Sequence, residues 1–248
     1  MSALVRYAVD GPVASLTLDS PHNRNALSHR LVTELLEGLD RAEADDSVKA
    51  MLVRAEGRVF CSGADLTEAT DVGMSETAHQ MVELQRRILA SAKPVVARIQ
   101  GAVRAGGLGV VAAADIAVTS SDATFALTEV RLGLAPAVIS LTVLPRLTSR
   151  AASAAFLTGE PFDAAQAVRT GLVTTAVAAA DLDQEVERVL AAVCEGHPQG
   201  LREAKRLANA DILARVERDG RSVADLSGRL FGSEAAQEAM RAFLTRAR

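Results

Sequence analysis

Near the start of the chain Ala14, Leu16 and Leu18 alternate with Val13, Ser15 and Thr17, which is the period of a half-buried strand. A partner strand over Val5 to Val9, with Asp10-Gly11 as the turn, completes a predicted hairpin. The period then changes. Leu31, Leu35, Leu36 and Leu39 recur at helical spacing, and Ser28 stands where its hydroxyl can cap that helix. Met51 to Val53 reads as a short buried strand, residues 74 to 92 as a helix stopped by Pro94, and Val95 to Ile99 as another apolar strand leading into Gly101. A two-turn helix over Leu108 to Ala114, a strand over Ile116 to Thr119 and a short apolar run near Phe125 continue the alternation. From about residue 138 the strand signal fades, apart from Leu172 to Val177, and helices rich in Ala, Leu, Glu and Arg run to Arg248. The pattern predicts an α/β core with a helical C-terminal subdomain. No internal repeat and no Pro/Ser-rich linker marks a flexible boundary.

Composition narrows the function classes. A chain of 248 residues that is 49% hydrophobic can bury a full core and stands at the upper end of a single domain. A net charge of -4, 3% aromatic residues and no Trp leave neither a basic field nor stacking platforms, so nucleic acid is not an expected partner. Two distant cysteines, Cys61 and Cys194, form no disulfide framework or CxxC metal spacing, and a reducing cytoplasm is the expected location. The beginning of the chain lacks a basic region followed by an apolar stretch, and runs such as Leu108 to Ala114 are far shorter than a membrane span, so no membrane is expected. His22, His29, His79 and His197 show no ligand spacing, and no metal is expected.

Three segments carry candidate chemistry. In VFCSGADL (Val59 to Leu66) small residues and Gly63 let the backbone approach a ligand, although the segment alone favours a plain strand-to-helix turn with Asp65 at or near a helix start. In QGAVRAGGLG (Gln100 to Gly109) a strand leads through Gly106-Gly107 into a short helix, whose first N–H groups attract negative charge. The same stretch contains GxGxxA in Gly107, Gly109 and Ala112, the form of a dinucleotide site. Against that reading, six residues separate Gln100 from Gly107 where the fingerprint's first Gly should lie in the turn itself. In FALTEVRLGLAPAVIS (Phe125 to Ser140) Glu129 stands among apolar residues. A carboxyl group there is either a proton carrier working near neutral pH or half of an ion pair with Arg131 or another surface partner.

Together with Asn25-Ala26-Leu27, these segments resemble the enoyl-CoA hydratase/isomerase (crotonase) family in order, spacing and wording over nearly the whole chain. The resemblance implies a spiral of ββα units over residues 1–195 and a helical assembly region over 196–248, with the protein a homotrimer or homohexamer. It implies an acyl-CoA substrate and no cofactor beyond the coenzyme A that the substrate carries. Ala64 and Gly106 then correspond to the backbone donors of an oxyanion hole, and Glu129 to a catalytic carboxyl group. Ala26, Ser62, Asp65 and Leu66 correspond to substrate contacts. Arg24 falls near the nucleotide part, although a solvated loop cation accounts for it as well.

One position departs from the family's hydratases, which use two glutamates, because the first falls on Gly109. Glycine cannot activate water, so a single carboxylate, Glu129, is left. One carboxylate suffices to move a proton between carbons two and four of an enoyl thioester, which fits an isomerase. The wording TEVRLGLAPAVIS is instead similar to a bacterial hydratase subgroup that includes methylglutaconyl-CoA hydratases. Hydration of a 2-enoyl-CoA therefore stands first, with isomerisation, or acyl-CoA binding without catalysis, as alternatives.

Overall fold

In the computed structural model, which describes residues 3–68 and 74–246, the hairpin forms as β1 (Val5–Asp10) and β2 (Val13–Leu18). Gly11 turns the chain at φ +52°, a conformation that L side chains avoid, and Tyr7 falls opposite Leu16. Ala14, Leu16 and Leu18 are fully buried. Ser28 accepts the Leu31 N–H at 3.2 Å and so starts α1 (His29–Ala44). The apolar stripe of α1 packs Leu31, Val32, Leu35 and Leu39 into the core, each large side chain contributing about 1.5–3 kcal/mol.

A repeated ββα path follows. The first strand of each turn, β3 (Ala50–Ala55), β5 (Val95–Ile99) and β7 (Ile116–Ser120), adds in parallel to the large sheet. The second strand, β4 (Val59–Cys61), β6 (Ala102–Arg104) or β8 (Thr124–Ala126), adds in parallel to a smaller one. Helix α2 (Met74–Ala90) completes the first turn and α3 (Gly106–Ala113) the second. A 3-10 turn (Thr128–Leu132) and α4 (Ser140–Arg146) complete the third. Beyond α5 (Ser149–Thr158) a two-residue β9 (Phe162–Asp163) closes the small sheet, and α6 (Ala164–Thr170) leads to β10 (Thr175–Val177) at the edge of the large one. Both faces of the large sheet are covered, which is why its strands read as unbroken apolar runs. Met51 and Val53 face the main core, whereas Leu52, Val96 and Val118 face Leu182, Val186 and Leu190 of α7 (Leu182–Cys194).

The C-terminal segment is two helices, α8 (Pro198–Phe231) and α9 (Glu234–Arg246). Helix α8 lies along α2 so closely that a side-chain carbon at Gly220 would be 2.7 Å from Val82 Cγ1. Its Lys205, 3% exposed, donates to Ile88 O at 2.8 Å and Lys93 O at 2.9 Å and pairs with Asp115 Oδ2 at 2.8 Å. Asn209 donates to Asp115 Oδ1 at 2.7 Å, so one carboxylate between β5 and β7 anchors the long helix. Sequence and structure part at small elements. The expected strand over Leu172 to Val177 shortens to Thr175–Val177, because Leu172 and Val173 are buried in the turn after α6 rather than paired. Helix α3 starts at Gly106, two residues before the apolar run that announced it. No helix of the described residues is long and apolar enough to cross a membrane.

Candidate active site

The loop after β2 is built on Asn25, which is fully buried. Its Oδ1 accepts the Ser20 N–H at 2.8 Å, and its Nδ2 donates to Glu56 O and Val59 O at 2.9 Å each. Arg24 and Asn25 both take left-handed backbone angles, φ 60° and 53°, which swing the chain back to meet the segment after β4. Leu27 then pairs with Ala64 in a parallel bridge, donating its N–H to Gly63 O at 2.8 Å and accepting the Asp65 N–H at 3.3 Å. Those bonds use the peptide groups on either side of Ala64, so the Ala64 N–H faces the opposite way.

A second backbone feature meets it there. Ala105 takes φ 46° and ψ -122°, a conformation that costs an alanine about 1–3 kcal/mol, and its N–H is tied to Ala126 O at 3.0 Å. This corner presents the first N–H of α3, that of Gly106, which has no helical carbonyl to reach. The two segments nearly touch. A side-chain carbon at Gly63 would lie 2.7 Å from Ala105 Cβ, one at Gly106 3.9 Å from Ala64 N, and one at Gly107 2.8 Å from Cys61 Cβ. Among the described residues neither the Ala64 nor the Gly106 N–H has a backbone acceptor, and both residues line one cleft of about 1310 Å³. The GxGxxA reading fails on the same geometry. Gly107 and Gly109 lie buried inside α3, packed against Cys61 and Ile139, and not in a strand-to-helix turn. Cys61 itself is fully buried, with its thiol pushed up to about 12 by desolvation.

Glu129 enters the cleft from the 3-10 turn after β8, a turn ended by Gly133 at φ 69°. Burial raises its carboxyl from the ordinary 4.5 to about 7, and its own backbone N–H opposes this less strongly. Glu129 Oε2 is buried with no hydrogen-bond partner. The ion pair with Arg131 does not form, and Arg131 Nε donates to Thr158 O at 3.4 Å instead. A carboxyl group with one oxygen free of any protein partner, in the same cleft as two free backbone donors, can take a proton from a bound molecule and return it.

Every candidate residue named from the sequence lines this cleft: Arg24, Ala26, Ser62, Ala64, Asp65, Leu66, Gly106 and Glu129. Asp65 does not start a helix among the described residues. Its Oδ1 accepts the Thr67 N–H at 3.0 Å in a local turn, and its Oδ2 accepts from Asn23 Nδ2 at 3.3 Å. Ser62 donates to Asn23 O at 3.4 Å, so both polar side chains brace the loop. The sequence reading missed the apolar wall. Met81 of α2, Val138 and Ile139 before α4, Phe231 of α8 and Phe243 of α9 also line the cleft, and they come from elements that meet only in the folded chain.

Comparison with known proteins identifies the family. The family model described as enoyl-CoA hydratase/isomerase matches residues 9–248. A Bacillus subtilis (strain 168) protein named probable enoyl-CoA hydratase is 33% identical over 246 residues, 97% of this chain and 95% of that one. A Streptococcus mutans protein named trans-2-decenoyl-[acyl-carrier-protein] isomerase is 31% identical over 212 residues, 82% of this chain and 80% of that one. The crystal structure of an enoyl-CoA hydratase from Mycobacterium avium superposes with a TM-score of 0.92 at 48% identity, covering 99% of this chain and 98% of that one. With sequence and fold matching from end to end, the chain is an enzyme of the enoyl-CoA hydratase/isomerase family.

Proposed function

We propose that the chain converts an enoyl-CoA thioester through an enolate, with the thioester oxygen held by the Ala64 and Gly106 N–H groups and the proton moved by Glu129. The observation that carries this reading is the buried, unpartnered Oε2 of Glu129 in the same cleft as the two free backbone donors. Each preorganised donor of this kind contributes about 3–4 kcal/mol to a transition state in which the oxygen becomes negative. In hydration, water adds to carbon three while Glu129 takes its proton, and Glu129 then protonates carbon two. In isomerisation, Glu129 removes a proton from carbon two of a 3-enoyl thioester and returns it to carbon four, and the double bond shifts. The names of the hydratase relatives support the first outcome. Gly109, which leaves Glu129 without a second glutamate on α3, supports the second. A binder without catalysis is disfavoured, because a buried carboxyl group with an unpartnered oxygen costs stability and brings no affinity that a neutral residue would not.

Ser62, Asp65, Leu66 and Ala26 shape the loop against the substrate, and the exposed Arg24 at its rim is suited to the nucleotide phosphates. No cofactor besides the substrate's own coenzyme A enters the reaction. We further assign a trimeric or hexameric assembly, supported by Leu157 and Leu207 standing 76% and 69% exposed on α5 and α8. A cytoplasmic location is supported by two free cysteines. The test is turnover by Glu129→Gln on 2-enoyl- and 3-enoyl-CoA substrates. A loss of at least about 100-fold with nearly unchanged acyl-CoA binding is expected, since glutamine keeps the size and cannot carry the proton. Retention of near-full activity on every substrate that the wild type converts would refute the assignment.

A further inference from the structure

Gly109 lies three residues after Gly106 on α3, hence on the same helix face one turn further in. Side chains on a helix lean toward its N-terminus, so a side chain at 109 would lean toward the Gly106 N–H. That space is already filled. A side-chain carbon at Gly109 would be 2.7 Å from Ile139 Cγ2 and 3.3 Å from Gln85 Cδ and Oε1. Gln85 of α2 is fully buried and fixed: its Nε2 donates to Met81 O at 3.0 Å and Val138 O at 3.3 Å, and its Oε1 accepts from Thr142 Oγ1 at 2.6 Å. Ile139, 3% exposed, therefore stands between a locked amide and the cleft, and it is Ile139 and not Gly109 that lines the wall.

We propose that Ile139 is a specificity-determining residue that suppresses water addition at the enolate-forming site and favours return of the proton to carbon. The inference rests on the enolate reading above. With the thioester oxygen at the Gly106 N–H, carbons two, three and four are one to three bonds from the carbonyl carbon, and the Ile139 side chain packs at Gly109, one helical turn along α3 from Gly106. An ordered water needs two to four polar partners. Ile139 and its neighbours Val138 and Ala137 present hydrocarbon to the cleft, and the Gln85 amide behind them has its donor and acceptor occupied. Water addition to carbon three is left to whatever water Glu129 alone can hold. Proton transfer from carbon two to carbon four uses Glu129 alone and needs no water, so the wall leaves it unimpeded.

The experiment compares kcat/KM for hydration of a short 2-enoyl-CoA with kcat/KM for isomerisation of the matching 3-enoyl-CoA, in the wild type, Ile139→Ala and Ile139→Val. Removing the branched side chain opens the niche, and the ratio of hydration to isomerisation should rise by at least about tenfold in the alanine variant, the scale at which a pocket distinguishes one or two methyl groups. Valine keeps the γ-methyl that lies against Gly109 and should leave the ratio near that of the wild type. If the alanine variant does not fold, Ile139→Thr keeps the branch at Cβ, adds a water-holding hydroxyl and should give the same rise. A smaller rise, or an equal rise in the valine variant, overturns the role of Ile139 while leaving the enolate reading intact. If the wild type converts neither thioester, the enolate reading itself fails and this inference fails with it.

Discussion

Asp115 and Glu129 are both acids withdrawn from water, and the protein treats them in opposite ways. Asp115 is saturated: it accepts from the Val95 N–H at 2.7 Å and Asn209 at 2.7 Å, and it pairs with Lys205 at 2.8 Å. Glu129 has an oxygen buried with no partner, and burial raises its carboxyl from the ordinary 4.5 to about 7. A buried charge with all its partners fixes an element in place, and here it fastens α8 to the edge between β5 and β7. A buried acid without partners is held at a cost that binding and chemistry can recover. The difference separates an acid that anchors a helix from one left free to exchange a proton more sharply than burial does.

Breaking the saturated site should produce the larger loss of stability. Lys205→Ala leaves Asp115 facing two remaining donors in a largely buried setting, and about 3–5 kcal/mol of unfolding free energy should disappear in denaturant titrations, with turnover per folded molecule retained. A comparable loss of activity in the fully folded variant would mean that the anchor also shapes the cleft.

The unsaturated site should act with the opposite sign. Glu129 has its folded value raised, so it favours the folded state while protonated, and that contribution, complete below 4.5, is lost as the pH climbs to about 7. The wild type should therefore lose about 3 kcal/mol of stability relative to Glu129→Gln between those two pH values. Parallel stability curves for the two proteins would contradict the burial of an unpartnered acid.

A smaller effect tests the backbone around that acid. Gly107→Ala sets a carbon 2.8 Å from Cys61 Cβ and should cost about 1–3 kcal/mol by overpacking, while Gly200→Ala, with nothing near its added carbon in α8, should cost nothing and gain up to about 1 kcal/mol of helix propensity. Equal melting temperatures for these two variants would show that the loops are less tightly joined than described.

What the sequence made legible follows the same division. Elements with a strong period were readable because burial imposes it: Leu16 and Leu18 on the hairpin, and Leu31, Leu35 and Leu39 on α1. Ala64 and Gly106, which line one cleft, were picked out through the glycines that the close approach of their loops requires and the family wording around them. Local sequence left Glu129 open between a proton carrier and an ion pair, because the missing partner is a fact of three-dimensional packing. Asn25 was noticed as part of a motif, yet its work is to pin the loop through Ser20, Glu56 and Val59, contacts up to thirty-four residues away. Ile139 gave no local signal, since its meaning depends on a glycine in another helix and on an amide in a third. Likewise the two residues of β9 are too few to show a period, and tertiary pairing with Thr124 and Phe125 creates the strand.

The central claim is that Glu129 is an isolated acid whose proton is exchangeable near neutral pH. An infrared difference titration of the carboxyl C=O stretch, wild type against Glu129→Gln, reads that proton directly. The account predicts a protonated-carboxyl band, absent from the variant, that disappears with a midpoint of about 7. A midpoint at the ordinary 4.5, or no difference between the two proteins, would contradict it.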